Sequence, residues 1–109
     1  MKLKVIAMAA ALTGAPAAEA AESCAVSVDF GSFCCGIDRE AYEAAKAFAA
    51  ESPLVSGQSE RSYGMEGEKV LCLQAKSAAD AKAIYAELQK RLGGRKPKGP
   101  VKVMMGGAK

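Results

Sequence analysis

The chain has 109 residues, a formal net charge of +3, four cysteines and no histidine. The missing histidine excludes Ser-His-Asp triads, Cys-His pairs, HExxH zinc sites and every imidazole-based acid–base scheme. Carboxylates such as Glu40 and Glu43 read as solvated surface charge on a helix, so the sequence points to binding rather than to enzymatic catalysis.

The first residues, MKLKVIAMAAALTGAPAAEA, have the layout of an export signal. Lys2 and Lys4 form a positive start, Val5 to Leu12 an apolar run, and Ala18-Glu19-Ala20 a small-x-small cleavage pattern. That run is short of the roughly 20 residues that cross a bilayer, and no later segment supplies a transmembrane candidate. The expectation is a signal peptide at 1–20, cleavage before Ala21, and an exported product that is periplasmic or secreted. What remains suffices for one domain with a small core, a size that exported proteins often reinforce covalently.

CAVSVDF, residues 24–30, alternates cleanly, with Val26, Val28 and Phe30 on one face, and predicts a half-buried strand. After the loop FGSFCCGID, Asp38 is a good N-cap and Glu40 adds a favourable charge in the first turn. Ala41, Tyr42, Ala45, Phe48 and Ala49 recur at helical spacing until Pro53 stops the helix. LVSGQSERSY is polar with weak alternation, which suits an edge strand. The turn YGMEGE reverses the chain into KVLCLQA, a compact apolar strand.

Ser77, with Asp80 three residues on, caps a second helix with a stripe of Ala81, Ile84, Tyr85, Leu88 and Leu92. Gly93-Gly94 ends that helix. The basic linker GGRKPKG then leads to PVKVMM, a candidate last strand. The order β-α-β-β-α-β predicts a small α+β domain of the ferredoxin-like, split-βαβ kind. Its form is a two-layer sandwich: an antiparallel-type sheet with two helices on one face. The domain core spans 21–94, with the basic linker and last edge strand at 95–109.

Charge is unevenly spread. From Lys90 onward the chain carries Lys90, Arg91, Arg95, Lys96, Lys98, Lys102 and Lys109 and no acid, whereas residues 21–89 hold six basic and eleven acidic residues. A basic end of this kind suits acidic surfaces. It has no aromatic residue to stack a base, which argues against nucleic acid.

Cys24, Cys34, Cys35 and Cys72 all follow the cleavage site, and an even count in an oxidising compartment predicts disulfides. Three complete pairings exist. One joins neighbouring residues, whose α-carbons lie only about 3.8 Å apart, below the usual range of roughly 4.4–6.8 Å. The expectation is therefore that Cys72 bonds Cys34 or Cys35 and that Cys24 bonds the other.

The alternative reading gives Cys34 and Cys35 to a soft metal, since paired thiolates favour Cu(I) or Hg(II). Two cysteines in the loop from first strand to first helix are similar to the metal-binding loop of heavy-metal-associated domains. Those space their cysteines as CxxC, whereas these are adjacent. The resemblance implies soft-metal binding at Cys34 and Cys35. A further alternative is thiol redox through a bridge between the two.

Phe33 lies outside the alternating pattern that ends at Phe30, on a loop flanked by glycines. Phe33 and the basic Arg95, Lys96 and Lys98 are thus candidate contact residues. The sequence reading is a non-catalytic, disulfide-stabilised binding module without a cofactor. Its expected partner is another protein or a component of the cell envelope.

Overall fold

Alternation along residues 26–30 places Val26, Val28 and Phe30 on one side of a strand, and all three are fully buried. The computed structural model describes residues 23–94, 96 and 98–107. The segment read as an export signal, its cleavage point and Arg95 lie outside the described residues. The elements are β1 (Val26–Phe30), α1 (Arg39–Glu51), β2 (Gly57–Tyr63), β3 (Glu68–Gln74), α2 (Ala78–Gly93) and β4 (Val101–Met105).

Four antiparallel strands form one sheet in the order β2-β3-β1-β4. Val28 pairs with Leu71 of β3 on one side and with Val103 of β4 on the other. The two most apolar strands occupy the middle, where both backbone edges are satisfied. The polar β2 takes one edge, as its composition predicts. The candidate last strand forms at Val101–Met105 and takes the other edge.

One core cluster joins Val26, Val28 and Phe30 of β1 and Leu71 and Leu73 of β3 to both helices. Helix α1 contributes Ala41, Tyr42, Ala45, Phe48 and Ala49, and α2 contributes Ala81, Ile84, Leu88 and Leu92. Burial at about 25 cal/mol per Å² of apolar surface is the main stabilising term.

Local signals set the helix ends. The Asp38 carboxylate accepts from the Ala41 N–H at 3.1 Å, and the Ser77 hydroxyl accepts from the Asp80 N–H at 3.1 Å. Helix α1 ends at Glu51, just before Pro53, and its Ser52 cap donates back to the Phe48 carbonyl. Glu60 on β2 holds the edge strand to α1. It accepts from the Tyr42 hydroxyl at 2.9 Å and from the Lys46 ammonium at 3.2 Å. Burial pushes the Glu60 carboxyl up, but those two donors outweigh it and leave the pKa below the ordinary value.

Both disulfides expected from the cysteine count form, with a different connectivity. Cys24 bonds Cys72, and Cys34 bonds Cys35. The expectation that Cys72 bonds Cys34 or Cys35 is corrected, and the reason is register. Because β1 and β3 run antiparallel, Cys72 lies level with Ser27, towards the start of β1. The loop carrying Cys34 and Cys35 leaves β1 at the other end, where Phe30 pairs with Lys69. Three strand positions at about 3.3 Å each separate the two levels. Cys24 is at the near end, with its α-carbon 5.3 Å from that of Cys72. Both residues are buried on the sheet face away from the main core.

Candidate functional site

The loop between β1 and α1, residues 31–38, is fixed at both ends and exposed at its tip. At its start, the Gly31 N–H donates to the Pro100 carbonyl at 2.8 Å. A Cβ at Gly31 would lie 3.1 Å from the Pro100 ring, so a side chain there would press on the linker. At its end, Ile37 and Asp38 are buried. Inside the loop, the Ser32 hydroxyl accepts from the Gly36 N–H at 3.0 Å and donates to the Glu66 carboxylate. Gly36 has φ of 116°, a backbone conformation that residues with a side chain rarely adopt.

The tip consists of Phe33, Cys34 and Cys35. Phe33 is 70% exposed, and both cysteines are exposed. The Cys34–Cys35 bond closes a ring within two adjacent residues, with α-carbons 3.7 Å apart. In this state each sulfur is bonded to the other, so neither is a free thiolate for a metal. Among the described residues no group of three or more Cys, Asp or Glu side chains is arranged to hold a metal ion.

The turn between β2 and β3 brings Met65 and Glu66 to the same end of the sheet. Met65 is 96% exposed, and Glu66 receives the Ser32 hydroxyl. The sequence predicts this turn but gives Met65 and Glu66 no part in a site. The antiparallel pairing of β1 with β3 was the available signal, since it puts the β2–β3 turn beside the end of β1. Of the basic candidates, Lys96 and Lys98 are exposed. The Lys98 backbone N–H donates to Asp38 at 3.0 Å, which holds the linker beside the loop.

Elsewhere, a groove of about 270 Å³ lined by Phe48, Glu51, Ser52, Pro53 and Arg91 lies at the far end of α1. Arg91 stacks over the Phe48 ring there and bonds Glu87, which satisfies its charge. On the sheet face away from the core, the Tyr63 hydroxyl donates to Asp29. That bond, with burial adding to it, pushes the Tyr63 pKa up to about 12. A tyrosine that keeps its proton this firmly is a poor general base.

The chain matches no protein-family model, no curated protein and no solved structure. No helix among the described residues is long and apolar enough to cross a membrane.

Proposed function

We propose that this protein is an exported, disulfide-stabilised binding module without catalytic activity. In this reading the tip of the β1–α1 loop contacts another protein or a component of the cell envelope. The observation that carries the proposal is Phe33. It is 70% exposed on a loop whose two ends are anchored. An aromatic residue held on an ordered loop loses little freedom on association, as hot-spot residues tend to. Met65 extends the apolar surface at the same end of the sheet.

Export is supported by the signal-like residues 1–20 and by two disulfides, which persist in oxidising compartments. The ferredoxin-like assignment is supported by the β-α-β-β-α-β element order together with a central β1–β3 pair. The basic Arg95, Lys96 and Lys98 supply long-range attraction, which salt screens over about 8 Å at physiological ionic strength.

Retention on immobilised envelope extract from the native host tests the reading, comparing wild type with Phe33→Ala and with a variant neutralised at Arg95, Lys96 and Lys98. Phe33→Ala is expected to reduce retention at every salt concentration while leaving the melting temperature in place. The neutralised variant is expected to lose retention mainly at low salt. Unchanged retention of Phe33→Ala, or a melting temperature lowered by several degrees, would refute the role given to Phe33. Intact mass of the protein from that host is expected to show a chain beginning at Ala21.

A further inference from the structure

The two disulfides stand in opposite environments. Cys24 and Cys72 are 6% and 1% exposed, and their bond joins positions 48 residues apart. Cys34 and Cys35 are exposed, and their bond joins neighbours. A cross-link constrains the unfolded chain through the loop that it closes, and this one closes no segment between its cysteines. The bond therefore ties no two elements of the fold together. In the chain-entropy description it contributes little to stability.

Contacts other than that bond also anchor the loop. Gly31 is held by Pro100, Gly36 by the Ser32 hydroxyl, and Asp38 by the Ala41 and Lys98 N–H groups. Access is also open, since a side chain built at Gly36 would meet nothing within 4 Å. Exposed disulfides are the labile, regulatory or catalytic ones, whereas buried structural ones resist reduction.

We infer that Cys34–Cys35 is a reversible two-electron redox centre that exchanges with a dithiol reductant while Cys24–Cys72 stays oxidised. A thiolate of the reductant attacks one sulfur of the pair, forming a mixed disulfide and breaking the Cys34–Cys35 bond. The sulfur released takes up a proton. The second thiol of the reductant then attacks the mixed disulfide and frees the other cysteine. The reductant ends as a disulfide, having lost two electrons and two protons, and Cys34 and Cys35 end as thiols. Reoxidation runs the same steps backwards. This activity goes beyond the binding role and does not depend on it.

The test equilibrates the oxidised full-length protein in buffers of graded reduced-to-oxidised dithiothreitol ratio. Free thiols are trapped by alkylation and assigned by fragment mass spectrometry, with near-ultraviolet circular dichroism recorded in parallel. Cys34 and Cys35 are expected to open at a ratio about tenfold or more below that which opens Cys24–Cys72, with the dichroism unchanged. Removing the reductant and adding oxidised dithiothreitol should restore the bond. The double variant Cys34→Ser, Cys35→Ser is expected to consume no reductant in that lower range. Opening of both disulfides together, or of Cys24–Cys72 first, would overturn the inference. So would loss of the tertiary signal as Cys34 and Cys35 open.

Discussion

Asp38 accepts a hydrogen bond from the backbone N–H of Lys98 at 3.0 Å, although the two residues are 60 positions apart in the chain. Its other carboxylate oxygen caps α1 through the Ala41 N–H at 3.1 Å. One fully buried carboxylate thus holds both the start of the first helix and the linker that feeds the last strand.

Replacing Asp38 should therefore cost more than an ordinary cap. A lost cap costs about 1 kcal/mol, and a hydrogen bond to a charged acceptor contributes roughly 1.5–3 kcal/mol. Asp38→Ala is expected to destabilise the domain by roughly 2–4 kcal/mol in urea titration. Asp38→Asn keeps the cap but offers an amide where Lys98 needs an acceptor, so its loss should be intermediate. Equal midpoints for wild type and Asp38→Asn would show that the Lys98 contact adds nothing.

The buried cross-link sets a second expectation. In the chain-entropy description, a loop of the 48-residue separation between Cys24 and Cys72 stabilises by about 4 kcal/mol. Cys72→Ala should thus lower stability by roughly 2–5 kcal/mol and leave Cys24 as a free thiol. Unreduced peptide mapping of wild type should recover Cys24 joined to Cys72. A peptide joining Cys72 to Cys34 or Cys35 would contradict the register of β1 against β3.

Alkaline pH probes the opposite face of the sheet. The hydrogen bond to Asp29, reinforced by burial, raises the Tyr63 pKa from 10.0 to about 12. The folded state therefore holds this proton more tightly than the unfolded chain does. The stabilisation is complete below pH 10.0 and is lost as the pH rises towards about 12. Tyr42 is also raised, by burial and its bond to Glu60, so the Tyr63 step is read in ultraviolet titration as the difference between wild type and Tyr63→Phe. The variant should also lose less stability than wild type over the same interval.

Much of the fold was legible because local chemistry and global layout agree. The alternation of Val26, Val28 and Phe30, the caps at Asp38 and Ser77, and the stop at Pro53 each act over a few residues. The polar composition of β2 likewise predicted its place at an edge. Disulfide connectivity was harder to read, because it depends on which strand levels face each other. Preference for the usual α-carbon separation excluded the neighbour pairing, yet the register left Cys34 and Cys35 out of reach of Cys72. The exposure of Phe33 followed from its place beyond the alternating pattern. The Met65–Glu66 turn beside it did not, since only the folded sheet brings residues 32 and 66 together.

The Cys24 N–H donates to the Gly107 carbonyl at 3.0 Å, and the Gly106 N–H to the Ala25 carbonyl at 2.7 Å. The described chain thus enters and leaves at one pole of the sheet, while Phe33 and the Cys34–Cys35 ring sit at the other. The five residues of β1 separate the poles by about 17 Å. A tether placed before Ser23 or after Gly107 therefore departs from the pole opposite the loop. The aromatic and sulfur-bearing tip lies about the length of β1 away from both ends of the described chain.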